Sequence, residues 1–214
     1  MPPGRATFWP CEGLPNIAAD EISKHERLLV PLAASVRELI DATLLTEVDE
    51  SDLLAAQQQV DAATALLRGR QRDRPLGVGL DPDGEPLSWG NVAIGTRNPV
   101  APPLDVVEDA PGRAHLDVEL GAAYEGAPDH VHGGYSALVL DHLLGVVASF
   151  GRLETAAATG TISLRYQRPT RLGHLHAEAE VERTDGRKIF VVGHIADDEG
   201  VTITAEGVYF ARRT

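Results

Sequence analysis

The run Val131–Gly145, VHGGYSALVLDHLLG, places one acid, Asp141, among residues that are otherwise almost wholly apolar. An ionised carboxylate is expensive to bury, because apolar neighbours do not replace the water it loses, and an unpaired one shifts its pKa or is avoided. The same run opens on His132-Gly133-Gly134. If the apolar stretch is a helix, the amides at its start lack intrahelical acceptors, and the dipole there favours negative charge. Glycine leaves that backbone open to close approach, with no side chain in the way. Backbone donors and one carboxylate can together add an oxygen nucleophile to a carbonyl. The amide holds the developing oxyanion, and losing one such donor typically costs about 100- to 1,000-fold in rate. The acid activates water or attacks directly.

Positioning these groups falls to the elements around them. The run Tyr135–Phe150 lacks strand alternation and is too long for most strands, so it reads as a helix that is apolar nearly all round and therefore buried. Before it, Ala114, Leu116, Val118 and Leu120 alternate with His115, Asp117 and Glu119, the pattern of a half-buried strand. After it the period of two returns four times. Ile162, Leu164 and Tyr166 mark one strand and Leu175, Ala177, Ala179 and Val181 the next. Lys188–Ala196 follows through the Asp185-Gly186 turn, and Val201–Ala211 through Asp197–Gly200. Short links predict antiparallel pairing of successive strands, with the helix enclosed by the sheet. Gly133 and Asp141 then lie about 12 Å apart along one helix axis. That is too far for one substrate carbon to reach both easily, which favours a site shared by two chains.

The N-terminal part differs. Residues 1–20 are irregular, with Pro2, Pro3, Pro10 and Pro15. An amphipathic helix spans about Ile22 to Leu45, with Pro31 starting or bending it. A second starts at Ser51 as N-cap, carries Leu53, Val60 and Leu67 on one face, and ends before Gly69. The two form a helical hairpin, and residues 69–86 form a linker or exposed loop.

Net charge is −13, from 19 basic and 32 acidic residues, which argues against a general nucleic-acid or anionic-membrane binder. From Arg152 onward nine Lys/Arg balance nine Asp/Glu, so the surplus lies in residues 1–151 and an anionic ligand meets less repulsion near the C-terminal third. Cys11 is alone and cannot form an internal disulfide. There is no spanning apolar run and no basic-then-apolar leader, so the expectation is a soluble cytoplasmic protein. The eight histidines do not gather with cysteines or in H-E-x-x-H form, so no metal is expected.

The segments YEGAPDHVHGGYSALVLD (124–141) and TGTISLRYQRP (159–169), with the following strands and their DGR at 185–187, resemble the hotdog-fold acyl-CoA thioesterases of the PaaI-like branch. The resemblance implies an α+β hotdog fold, an antiparallel sheet wrapped around a long central helix. It covers roughly residues 87–214. The domain reading is 1–85 as irregular start, helical hairpin extension and linker, and 86–214 as the thioesterase domain. The implied activity is hydrolysis of an acyl-CoA to free acid and CoA, with no cofactor beyond the coenzyme A that is part of the substrate. The implied assembly is a homodimer or dimer of dimers whose sites lie between subunits. There the Gly133 N–H of one chain faces Asp141 of its partner, acting as general base or nucleophile. Thr159 aligns with a hydroxyl that positions the water in relatives. Gly134, Tyr135, Thr161 and Pro169 fall on the substrate side, and Arg168 and Arg171 are candidates for the coenzyme phosphates. Some relatives carry an Asn six residues before the histidine, where this chain has Gly126.

Plainer readings stand beside these. Asp141 could be a structural acid capped by hydrogen bonds, although His-Gly-Gly nine residues earlier favours catalysis. For His132, orienting the turn or contacting ligand is favoured over proton shuttling. His142 points elsewhere on the helix and reads as packing or a subunit contact. Thr159 belongs in a strand on propensity alone, exposed arginines are ordinary, and His174 with His176 reads as a solvated pair. Two other functions compete: a non-catalytic acyl-CoA or lipid-binding protein, and a partner-binding module that uses the helices of 21–70.

Overall fold

The computed structural model describes residues 13–102, 104–149 and 157–211; Pro2, Pro3, Pro10, Cys11 and Phe150 lie outside this range. Helix α1 (Ala19–Lys24) runs through a π turn (His25–Leu29) into α2 (Val30–Leu45), and α3 covers Glu50–Arg68. A two-stranded ribbon pairs β1 (Gly79–Leu80) with β2 (Pro86–Leu87). Then come β3 (Val107–Ala110), β4 (Arg113–Leu120), α4 (Gly133–Ala148), β5 (Ala157–Tyr166), β6 (Gly173–Asp185), β7 (Lys188–Asp197) and β8 (Gly200–Ala211). The main sheet is antiparallel, six-stranded and ordered β3-β4-β6-β7-β8-β5.

Alternation in sequence becomes two-sidedness in space. In β4 the apolar Ala114, Leu116, Val118 and Leu120 are all buried, and the helix-facing residues of β6, β7 and β8 continue that core. From α4, Val139, Leu140, Leu143, Leu144 and Val147 fill its centre. Each fully buried Leu or Val contributes roughly 1.5–3 kcal/mol through the apolar surface it removes from water. How closely α4 sits depends on small residues in the sheet. A Cβ at Gly193 would meet Leu144 Cδ1 at 2.9 Å, and one at Gly207 would meet Leu144 Cδ2 at 3.2 Å. Glycine at both positions lets Leu144 seat against the backbone.

The pairing of β5 departs from expectation. Its sequence successor is β6, but its sheet neighbour is β8. Three strand spacings separate β5 from β6, about 14 Å at roughly 4.8 Å each, and the six-residue link 167–172 can span roughly 20 Å. A short link therefore does not require adjacency. The link is fastened as it crosses: the Gln167 N–H donates to Thr202 O at 2.8 Å, and the buried Thr170 and Thr202 hydroxyls meet at 2.8 Å. Only β6–β7–β8 is a meander.

Other boundaries move for local reasons. The second helix is capped by Asp49, whose carboxylate accepts from the Asp52 N–H at 3.3 Å, while Ser51 donates to that carboxylate from inside the first turn. The π turn ends two residues before Pro31, so the continuous helical run Ala19–Leu45 changes its hydrogen-bonding pattern next to the residue that cannot donate. Within 69–86, Asp81 accepts from the Asp83 and Glu85 amides at 2.9 and 2.8 Å and closes the β1–β2 ribbon, giving structure to part of the expected linker. The arm is fastened to the loop before β3. His25 is buried, stacks on Trp89 with ring centroids 3.9 Å apart, and meets Thr96 Oγ1 at 3.1 Å, while Arg37 donates to Ala101 O at 3.2 Å. By contrast, no residue of α3 is buried, so the expected hairpin has no enclosed seam within the chain. No helix among the described residues is long and apolar enough to cross a membrane.

Candidate active site

The N-terminus of α4 is built by the loop before it. Gly126 donates to His130 O at 2.9 Å, and the His132 N–H donates to Tyr124 O at 2.8 Å. Asp129 holds φ 63, its N–H donates to Glu125 Oε1 at 2.8 Å, and its carbonyl accepts from Leu172 at 3.1 Å. Asp129 thus has a structural role in this turn that its residue type alone does not reveal. A Cβ at position 126 would lie 2.7 Å from His132 Cα, so the backbone of the turn leaves no room for a side chain there.

His132 is the N-cap. It is extended at φ −60, ψ 128, and its Nδ1 accepts from the Gly134 N–H at 3.0 Å. An amide can only donate, so Nδ1 carries the lone pair and a neutral ring holds its proton on Nε2. This cap engages the Gly134 amide. The Gly133 amide meets no acceptor among the described residues. The Gly133 carbonyl accepts from Tyr166 Oη at 2.8 Å, and the Tyr166 ring covers Gly133 so closely that a Cβ there would meet Cε1 at 3.2 Å. Tyr166 comes from β5, and sequence reasoning assigned it only to a strand face.

Asp141 lies on the face of α4 turned away from the sheet centre and is exposed in the single chain. Its Oδ1 accepts from Thr159 Oγ1 at 3.2 Å, and its backbone carbonyl accepts from Tyr209 Oη at 3.4 Å. Tyr209 is fully buried, and its phenol is pushed well above the ordinary range, first by burial and then by the negative charge of Asp141, so it stays a donor. Thr159 reaches the helix because β5 carries a bulge at Gly160. Register shifts there, pairing Thr159 with Tyr209, Thr161 with Val208 and Ile162 with Gly207. Thr159 consequently shares the helix-facing side with Ile162 and Leu164, while Thr161 turns outward. A Cβ at Gly160 would fall 2.3 Å from the Phe210 ring, so that ring lies over the bulge and a side chain there would have to displace it. Of the sequence-derived candidates, Thr161 is the one this bulge separates from Asp141.

Arg168 is already engaged. Its guanidinium pairs bidentately with Asp197, through Nη1–Oδ2 at 2.8 Å and a second, shorter contact to Oδ1, and it donates to Gly200 O at 2.7 Å. That pairing holds the Asp197 carboxyl down at about 2. Arg171 is paired with Glu199 at 2.9 Å. Both arginines therefore secure the β7–β8 turn to the 167–172 link instead of presenting free charge. Exposed Pro169 precedes Thr170, whose carbonyl accepts from the Val131 N–H at 2.9 Å, so the link also braces the His-Gly-Gly turn. Tyr135 is half-buried, edge-on to Tyr124 with centroids 4.7 Å apart. His142 is half-buried, with Nε2 unpartnered and its pKa lowered by burial against the opposing pull of Asp141. His174 and His176 are more than a solvated pair: both approach Asp117, at 3.4 and 2.9 Å, and the Asp117 and Glu178 bonds raise the pKa of His176. Among the described residues, no three or more His, Cys, Asp or Glu side chains are grouped so as to hold a metal ion.

Comparison with known proteins fits this architecture. Residues 129–204 match the model of the thioesterase superfamily. A crystallised thioesterase superfamily protein is 31% identical, with 85% of this chain aligned to 90% of that one at a TM-score of 0.74. A phenylacetic acid degradation-related protein from Ralstonia eutropha is 24% identical over 50% of this chain and 82% of its own, with a TM-score of 0.44. A thioesterase protein from Streptococcus pneumoniae, crystallised with coenzyme A, is 18% identical over 52% and 91%, with a TM-score of 0.47. No curated protein matches this sequence. With nearly a third of residues identical across nine-tenths of the first of these relatives, the chain belongs to the thioesterase superfamily and has its hotdog fold.

Proposed function

We propose that this protein hydrolyses acyl-CoA thioesters at a site completed by two copies of the chain. The observation that carries the reading is the state of two groups on α4, one at its N-terminus and one in its middle. At one end the Gly133 amide has no acceptor among the described residues, and eight residues on Asp141 is exposed with a hydroxyl already bound to it. About 12 Å of helix rise separates them, so one carbonyl meets the Gly133 amide of one chain and Asp141 of its partner. The ten-residue β5 ends the sheet, and its open edge is available to pair with a second copy.

In this reading the thioester oxygen accepts from Gly133 N–H as it becomes an oxyanion. Asp141 takes a proton from the attacking water, and collapse of the tetrahedral adduct breaks the C–S bond. A coenzyme thiol with a pKa near 8.5, like that of cysteine, leaves readily as thiolate. Direct attack by Asp141, giving an anhydride that water then opens, uses the same geometry. Thr159 holds one carboxylate oxygen and leaves the other for the water or carbonyl. Gly134, Tyr135 and Pro169 form the wall at the Gly133 end, and His132 keeps that end's backbone in place. Arg168, neutralised by Asp197, contributes the position of the link more than a free charge for the phosphates.

The test is release of free thiol from acyl-CoAs of graded chain length and from aromatic acyl-CoAs. Turnover of at least one, abolished in Asp141→Ala, is expected. Wild-type protein that binds acyl-CoAs and turns over none would establish the binding reading instead.

A further inference from the structure

Helix α3 is amphipathic yet buries nothing of its own chain. Among the described residues seventeen large apolar side chains are exposed, and eleven of them fall between Leu28 and Leu67, so the exposed apolar surface is concentrated in this arm. Such concentration marks an interaction surface more often than a solvated face. On α3 it is ordered. Leu53, Ala56, Val60, Ala63 and Leu67 recur at intervals of three and four and are all exposed. A repeat averaging 3.5 residues keeps one seam facing a second helix, and alanines between the larger residues allow the two backbones close approach.

The charges of α3 say which second helix. Its first turn is acidic, with Asp49, Glu50 and Asp52, and its end is basic, with Arg68 followed by Arg70. Laid antiparallel, two copies set acidic turn over basic turn at both ends, and their dipoles oppose. Laid parallel, like charges stack. In a chain of net charge −13, general repulsion disfavours self-association, so local complementarity of this kind is what a self-contact needs. The large residues of the seam are symmetric about Val60, seven residues to either side, so Leu53 on one helix falls opposite Leu67 on the other, as a two-fold contact demands.

We propose that α3 docks on α3 of a second copy, antiparallel, with Val60 at the two-fold axis. Two such helices are each about 28 Å long, and their seams cover on the order of 500 Å² per copy, below the roughly 800 Å² per partner of a free-standing interface. The contact is therefore an additional clamp on copies that also meet elsewhere, and its test reads proximity. It requires no thioester hydrolysis.

In the 214-residue chain with Cys11→Ser, Val60→Cys is exposed to a mild oxidant. An intermolecular disulfide is expected at least tenfold more abundant than with Ala62→Cys, whose side chain points away from the seam. Differently tagged chains carrying Leu53→Cys and Leu67→Cys, once mixed, are expected to give the mixed disulfide in preference to either self-disulfide. Equal cross-linking at positions 60 and 62, or a dominant Leu53→Cys self-disulfide, overturns the proposal. Neither readout depends on activity, so failure here is separable from failure of the catalytic reading.

Discussion

The Thr159 hydroxyl donates to Asp141 Oδ1 across 3.2 Å, joining the edge strand of the sheet to the carboxylate of the central helix within one chain. The bond fixes one lone-pair direction of an exposed acid that would otherwise rotate freely. It depends on the Gly160 bulge, without which Thr159 would point to the other face.

Thr159→Val keeps the shape and removes the donor. A hydrogen bond to a charged group contributes about 1.5–3 kcal/mol when well shielded, and Asp141 is exposed, so the low end applies. Steady-state kinetics should show kcat down roughly tenfold with KM little changed, and Thr159→Ser should retain most activity. Unchanged kcat in Thr159→Val would remove Thr159 from the site.

Tyr166→Phe tests the far end of α4. The Tyr166 hydroxyl donates to the Gly133 carbonyl at 2.8 Å, and the ring lies over that glycine. Losing the bond should destabilise by about 0.5–1.5 kcal/mol, read from urea unfolding. It should also lower kcat severalfold, because the peptide that presents the Gly133 amide gains freedom.

The Arg168–Asp197 pair predicts an acid-dependent stability. Asp197 ionises at about 2 in the folded chain against an ordinary 3.8. A depressed folded pKa means the contribution is complete above about pH 4 and is lost as pH falls toward 2. Asp197→Asn should lower the melting temperature at pH 7 by about 2–4 °C, near 1 kcal/mol for a chain of this size. The gap from wild type should close as pH falls through that window. A pH-independent gap would show that the ion pair is not its source.

Much of this was legible in the sequence, and the misses have causes. Alternation located β4 and β6–β8, because each buries one face against a single core, and α4 stood out as an apolar run too long and too unalternating for a strand. Alternation missed β3, where Val107, Glu108, Asp109 and Ala110 are all exposed at an edge and leave no alternation to read. It mispaired β5, because link length limits reach without choosing a neighbour. His132, Gly133 and Asp141 stood out by type and spacing along one helix. Tyr166, Tyr209 and the Gly160 bulge did not, since their roles arise from side chains that meet across distant positions. Arg168 was drawn toward substrate by its charge, yet three-dimensional placement gave it Asp197 first.

The division of the site between chains is tested most directly by complementation. Gly133→Pro removes the amide hydrogen. His132 already has the extended conformation that a residue before proline requires, and proline suits a first helical position. The added ring meets Tyr166, which is 52% exposed, and the severalfold effect of disturbing that tyrosine is read separately in Tyr166→Phe. Gly133→Pro and Asp141→Asn should each abolish thiol release from an acyl-CoA that wild type hydrolyses. Mixed and allowed to exchange subunits, they should recover about a quarter of wild-type activity, since half the dimers are hybrids with one intact site of two. Mixtures with proven exchange and no recovered activity would contradict the account.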